Sequence, residues 1–103
     1  MADLAATRAN LDAMVQAAQA AGAKVLIVGM KLPPNYGAAY VREFDAVFAE
    51  VAKSRKTAFV PYLFDGFGED MAFFQADRIH PTREAQPKML ATVWPALRPL
   101  LAR

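Results

Sequence analysis

The sequence has no cysteine, and its 103 residues include one histidine, His80, and one serine, Ser54. The missing cysteines exclude disulfides, thiolate catalysis, iron–sulfur clusters and cysteine-based zinc sites. A single histidine excludes a histidine-rich metal site, and the chain has no glycine-rich phosphate loop. We therefore expect no metal and no cofactor, and any chemistry has to use His80, carboxylates, threonines and tyrosines.

The chain also lacks a long hydrophobic run and a strong excess of one charge. Its 12 basic and 10 acidic residues leave a formal net charge of +2, which is too small an imbalance to predict a nucleic-acid partner. No apolar run approaches about 18 residues, so no membrane-spanning helix is predicted. Residues 1–11 lack the basic start and apolar core of a signal peptide, so we expect the expressed chain to stay in the cytoplasm and assign no natural compartment.

Hydrophobic residues make up 55% of the sequence, which is enough for the core of one domain over residues 1–103. Apolar residues recur with helical spacing in three segments, at about 2–21, at 38–53 and from 83 towards 101. A short apolar run at 24–30 predicts a strand that is covered on both faces, and a second run at 57–63 predicts another apolar strand. The order α-β-α-β-loop-α is typical of a parallel α/β fold, here with only two strands and flanking helices.

The ends and faces of these helices can also be predicted. Asp3 and Thr82 are placed as N-caps of the first and last helix, and Gly22 follows the first helix where a left-handed residue is expected. Pro95 and Pro99 are expected to kink or interrupt the last helix. The predicted apolar faces comprise Leu4, Leu11, Met14, Val15 and Ala18; then Tyr40, Val41, Phe44, Val47, Phe48 and Val51; then Leu90, Val93, Trp94, Leu97, Leu100 and Leu101.

One pair of residues is placed for chemistry. Asp77 lies three residues before the only histidine, in a predicted loop that precedes the last helix. This spacing lets the Asp77 carboxylate accept a hydrogen bond from Nδ1 of His80 and leaves Nε2 facing outward as a base. An ordinary turn at a helix entry has the same pattern, so these two residues alone leave a catalytic and a structural interpretation open.

Two longer motifs resemble the SGNH (GDSL-type) hydrolase family, in particular its thioesterase, arylesterase and lysophospholipase branch. MKLPPNYG at 30–37 is similar to a family loop reading RLPxNYG, and ADRIHPTREAQPKM at 76–89 is similar to the final D-x-I-H-P block and the helix after it. The resemblance covers essentially the whole chain. It implies a partial flavodoxin-like sandwich in which Asp77 and His80 are the orienting carboxylate and general base of a Ser-His-Asp triad acting on small ester or acyl substrates.

The family's nucleophile block and oxyanion-hole blocks do not occur in this sequence, so the chain resembles the C-terminal half of such a hydrolase. Ser54 is a poor substitute, because it precedes the second strand and should lie at the sheet edge opposite His80. Thr82 is better suited to capping a helix. Asn35 and Tyr36 follow the first strand, where they either bind substrate or serve as a turn residue and a packed aromatic. Four phenylalanines either wall an acyl pocket or pack in the core: Phe64, Phe67, Phe73 and Phe74.

Two functions remain open at this point. The chain is either a minimal esterase with weak hydrolysis of short activated esters, or an inactive fragment that forms a self-associating structural domain. The first strand has only one neighbour in this chain, and an open apolar strand edge invites pairing with another chain. We therefore expect a homodimer or higher homo-oligomer, in which antiparallel pairing of two first strands completes the sheet.

Overall fold

The computed structural model describes residues 3–101 and contains three helices around a two-stranded sheet. In chain order the elements are α1 (Leu4–Ala20), β1 (Leu26–Val28), α2 (Ala38–Arg55), β2 (Ala58–Val60) and α3 (Gln86–Leu101), with short 3-10 turns at Pro34–Tyr36, Met71–Phe73 and Arg83–Ala85. The strands pair in parallel, which confirms the predicted fold class. Each strand is three residues long, shorter than predicted. Residue 2, where the first helix was predicted to begin, lies outside the described residues.

The ends of α1 follow local backbone chemistry. The Asp3 carboxylate accepts a hydrogen bond from the amide of Ala5 at 2.9 Å and so satisfies one of the free amides at the start of the helix. Gly22, just past the other end, has a φ of 85°, a left-handed conformation that glycine adopts without steric cost. The predicted N-cap at Asp3 and the predicted left-handed residue at Gly22 are both confirmed.

The helices α1 and α2 form one layer on the sheet. Ile27 and Phe59 are paired in register and point to the same face. There they pack with Val15 of α1 and with Val51 and Ala52 of α2. Arg8 pairs with Glu50 and Asp12 pairs with Arg55, so the two helices run in the same direction. This layer buries its apolar side and carries charge on the other.

The helix α3 lies on the opposite face of the sheet. It contacts both strands, but within residues 3–101 it contacts neither α1 nor α2. The helix runs through Pro95 and Pro99 without interruption, so of the two predicted outcomes, a kink or an interruption, the interruption was wrong. Each proline removes one backbone N–H donor from the helix. Because the two prolines are four residues apart, both missing hydrogen bonds lie on the same side of the helix.

Several predicted apolar residues remain exposed. Leu90, Trp94 and Leu101 of α3 are 61%, 42% and 62% exposed, and Met14 of α1 is 63% exposed. At about 100° per residue, the three α3 residues lie within about 40° of one another around the helix axis. We refer to Leu90, Trp94 and Leu101 as the α3 face. These residues belong to the predicted apolar faces, and they stay exposed because residues 3–101 provide no element to cover them.

One edge of β1 is also uncovered. The amide of Gly29 bonds to the Val60 carbonyl at 2.7 Å, and the Val25 carbonyl accepts from the amide of Ala58 at 3.2 Å. In a parallel ladder successive residues direct their polar groups to alternate sides. Leu26 and Val28 therefore direct their amides and carbonyls to the side away from β2, where no described strand pairs with them. We call this side the β1 edge.

Candidate active site

The loop 77–80 is organised by one carboxylate. Oδ1 of Asp77 accepts hydrogen bonds from the amides of Ile79, at 2.9 Å, and His80, at 3.0 Å. Oδ2 of Asp77 lies 2.5 Å from Nδ1 of His80. Arg78, between these partners, has a φ of 62°, and this left-handed residue turns the chain back toward the carboxylate. The predicted hydrogen bond between Asp77 and His80 is therefore present.

The base of this loop is tied to the rest of the fold. The Gln75 amide donates to the His80 carbonyl at 2.8 Å, and the Thr82 amide donates to the Phe73 carbonyl at 2.8 Å. Phe74, between these bonds, forms an antiparallel bridge with Pro81. Phe74 is buried in a second apolar cluster with Phe67 and Ala85. Packing of aromatic rings thus holds the two ends of the loop together, and the Asp77 carboxylate shapes its tip.

The electrostatics of the pair favour an ionised carboxylate. The hydrogen bond with His80, followed by those from the Ile79 and His80 amides, lowers the pKa of Asp77 to about 2. The carboxylate is therefore ionised near neutral pH and fixes the proton of the neutral imidazole on Nδ1. The His80 side chain is 68% exposed, and among residues 3–101 no group forms a hydrogen bond with its Nε2. Nε2 is thus a lone-pair acceptor open to an incoming hydroxyl or water.

A cleft of about 1560 Å³ lies beside this loop. One wall is formed by the segment after β1, including Leu32 and Pro33, and the other by the segment after β2. Arg78 and Ile79 line the cleft, so the histidine loop lies at the carboxyl-terminal edge of the sheet. This is the edge at which open α/β sheets bind their ligands. Met71 and Ile79 also line the cleft and were not predicted to do so. For Ile79, its position next to the candidate base His80 was a usable indication.

The four phenylalanines have two kinds of surroundings. Phe67 and Phe74 are buried and stack at a centroid distance of 5.9 Å, with Phe64 packed against both. The same three rings also border the cleft, whereas Phe73 does not. Phe64, Phe67 and Phe74 therefore pack in the second apolar cluster and also form part of the cleft wall.

Tyr62 extends the same cleft toward Lys31. Burial, together with Glu69 and Asp65, raises the pKa of Tyr62, so its phenol stays protonated near neutral pH. The Lys31 ammonium lies 5.4 Å from the centre of the Tyr62 ring. Gly68 makes room for this ring, because a Cβ at that position would lie 2.1 Å from the Tyr62 hydroxyl.

The remaining candidates, Asn35 and Tyr36, do not line the cleft. Asn35 and Tyr36 form a 3-10 turn that follows the cleft wall, but the wall itself ends at Pro34. Tyr36 stacks on Tyr40 at 6.3 Å. Their role in substrate binding stays a prediction.

Neither hydroxyl considered as a substitute nucleophile is well placed. Ser54 lies in the last turn of α2, which extends to Arg55 and beyond the predicted end at residue 53. It therefore precedes β2, at the end of the sheet away from the cleft. Thr82 precedes the 3-10 turn at the cap position, but its hydroxyl makes no capping bond and is buried without a partner. A buried hydroxyl has no path to a substrate, and the predicted side-chain cap was wrong.

Within residues 3–101, no group of three or more His, Cys, Asp or Glu could hold a metal ion. No helix of this part of the chain is both long and apolar enough to cross a bilayer.

No family model matches the chain, but individual proteins do. It is 51% identical over 92 residues to esterase TesA of Pseudomonas aeruginosa (strain PAO1), which covers 89% of this chain and 46% of that protein. It is 32% identical over 95 residues to thioesterase 1/protease 1/lysophospholipase L1 of Escherichia coli (strain K12), which covers 92% of this chain and 46% of that protein. The chain thus spans about half the length of the curated relatives it matches.

Solved structures give the same result. A crystal structure of TesA superposes with a TM-score of 0.91 at 48% identity, covering 96% of this chain and 55% of that chain. AlinE4, described as an SGNH-hydrolase family esterase, superposes with a TM-score of 0.69 at 28% identity, covering 98% of this chain and 53% of that chain. The chain therefore folds as roughly half of these esterases does.

Proposed function

The chain is a partial member of the SGNH hydrolase family, and on that premise we propose that it carries the base and the orienting carboxylate of an ester hydrolase. The observation that supports this most is the hydrogen bond between Asp77 and Nδ1 of His80, which leaves Nε2 free on an exposed side chain. The neighbouring loop residues Arg78 and Ile79 line the cleft. The names of the relatives support an esterase-type activity. We assign Asp77 and His80 as the catalytic pair.

The roles follow from the chemistry of each group. Nε2 of His80 accepts a proton from the oxygen that attacks the ester carbonyl, and the imidazolium so formed is stabilised by the Asp77 carboxylate. That proton is then available to the leaving alcohol. Since Ser54 lies away from the cleft, the attacking oxygen in this chain alone is that of water, and the products are a carboxylic acid and an alcohol.

The expected activity of the chain alone is weak. In a serine hydrolase, loss of the nucleophile costs on the order of 10⁶ in rate and leaves roughly 10³–10⁴ over water, which comes from the oxyanion hole and binding. This sequence also lacks the family's oxyanion-hole blocks. We therefore propose at most slow hydrolysis of short esters with good leaving groups, with Asn35 and Tyr36 available beside the cleft for substrate.

Hydrolysis of p-nitrophenyl butyrate by highly purified protein tests this proposal. We expect a small rate above buffer, which His80→Ala lowers by about 10²-fold or to the level of buffer, as loss of a general base does. Ser54→Ala is the matched control and should leave the rate unchanged. A rate that neither variant alters would assign the activity to a contaminant or another site. Covalent labelling of Ser54 by a fluorophosphonate probe would assign it a role that we exclude.

A second candidate function is that of an inactive, self-associating structural domain. It is favoured by the α3 face and the β1 edge, which leave apolar side chains and unpaired backbone groups in water. Antiparallel pairing of two β1 edges would give a four-stranded sheet and a two-fold homodimer. Light scattering at micromolar concentration should then give a mass of about twice 11.3 kDa or more. A folded 11.3 kDa species would rule this candidate out.

A further inference from the structure

The α3 face is exposed, but it has the apolar composition of a helix surface that is normally covered by another element. Leu90, Trp94 and Leu101 are exposed on one side of α3, while Met89, about a quarter-turn away, packs against the second apolar cluster. The helix is therefore apolar on two adjoining sides. A helix that is apolar well beyond the stripe facing its sheet normally packs against a further element.

The β1 edge provides a second, independent indication. Residues 25–28 are continuously apolar, as is usual for a parallel strand with neighbours on both sides. Only the β2 side is paired, so the amides and carbonyls of Leu26 and Val28 are free to form a ladder with an added strand. Strand addition at an open edge is a common mode of peptide recognition, because it supplies main-chain hydrogen bonds directly.

The comparison with TesA indicates what covers these surfaces. The described chain superposes on 55% of the TesA chain with a TM-score of 0.91, so its conformation is that of a segment within a larger fold. The rest of the TesA chain has to pack against that segment. Since α1 and α2 cover one face of the sheet, the α3 face and the continuously apolar β1 edge are the candidate surfaces for this contact.

We propose that the α3 face and the β1 edge together bind the complementary portion of an SGNH hydrolase fold. This occupant is a polypeptide that adds one strand along Leu26–Val28 and sets an apolar helix face against Leu90, Trp94 and Leu101. The proposal rests on the proposed function for its choice of partner. It differs from self-association because it expects a different chain to be bound more tightly than a second copy.

The test mixes the purified chain with a recombinant polypeptide comprising the residues of P. aeruginosa TesA that lie outside the aligned 92-residue segment. Light scattering after size exclusion should give a one-to-one complex that forms at the expense of any homo-oligomer. Amide hydrogen exchange should slow at Leu26 and Val28 on mixing, with little change at Ile27, whose amide already faces β2.

Variants separate the two surfaces from general effects on folding. Leu90→Glu combined with Trp94→Glu should weaken the complex at least tenfold and leave the helical circular dichroism unchanged. Met14→Glu is the matched control, since Met14 is equally exposed but lies on α1. It should leave the affinity unchanged.

Each outcome bears on the proposal. Absence of a complex, a second copy binding more tightly than the TesA segment, or a complex that survives the double α3 variant would overturn it. A complex with protected β1 amides but no gain in ester hydrolysis would uphold the docking and contradict the proposed function instead. A gain of about 100-fold or more that is lost in His80→Ala would support both.

Discussion

The two faces of the sheet carry helices of different kinds. On one face, α1 and α2 bury Val15, Val47 and Val51 and are joined across their polar sides by ion pairs, Arg8 with Glu50 at 2.7 Å and Asp12 with Arg55 at 2.6 Å. On the other face, α3 contacts the strands and leaves three large apolar side chains exposed.

This difference indicates which surface is complete. Charged residues on the outer side of α1 and α2 suit a layer that faces water. The α3 face consists of apolar side chains only. Clusters of exposed apolar side chains mark contact surfaces in soluble proteins. The outer surface of α1 and α2 is therefore suited to water, whereas the α3 face is suited to contact with a partner.

The largest expected effect comes from placing the same charge on each face. Val47→Asp buries a carboxylate at a position that is 1% exposed. We expect this substitution to lower the free energy of unfolding by about 3–5 kcal/mol, which is enough to unfold the chain. Leu90→Asp places that charge on the α3 face and should cost about 1 kcal/mol or less. Urea unfolding followed by circular dichroism measures both. Equal losses would contradict the distinction between a packed and an open face.

A smaller effect is expected from the ion pairs of the first layer. The bond with Arg55 lowers the pKa of Asp12, so Asp12→Asn removes a charged partner at neutral pH. Because the pair is partly exposed, we expect the Tm to fall by only about 2 °C, and the difference to shrink in about 1 M NaCl. Glu50→Gln, at the more exposed pair, is the control and should shift the Tm less. A large fall in the Tm that does not depend on salt would show that packing of the Asp12 side chain matters more than its charge.

The smallest effect concerns the Asp77 loop, which belongs to neither layer. Since folding lowers the pKa of Asp77 from its usual 3.8 to about 2, its bonds stabilise the loop above about pH 4 and are lost as the pH falls through about 2. An NMR titration of the Asp77 carboxyl carbon should give that low midpoint. His80→Ala should raise the midpoint only in part, because the Ile79 and His80 amides still bind the carboxylate. A wild-type midpoint at or above 3.8 would contradict the geometry.

The parts of the site differ in how far they could be predicted. Asp77 and His80 are three residues apart, so their contact depends on one local turn, and it was expected from this spacing together with the resemblance of residues 76–89 to a family motif. The cleft joins Leu32, Phe64 and Ile79, which are far apart in the chain and meet only because two parallel strands end at one edge. The roles of Asn35 and Tyr36 depend on such long-range placement, and for that reason they stay predictions.

The sequence by itself determined the order of the elements, the parallel pairing, the caps at Asp3 and Gly22, and the Asp77–His80 hydrogen bond. The caps and the hydrogen bond depend on local backbone preference, and the elements depend on periodicity over a few turns. The parallel pairing follows from the helix that connects the two strands. Only the tertiary structure decided which apolar residues are buried. Val47 and Leu90 both lie on predicted apolar helix faces, yet one is enclosed and the other is 61% exposed. Burial requires a second element on the far side, and helical spacing specifies a face without specifying what packs against it.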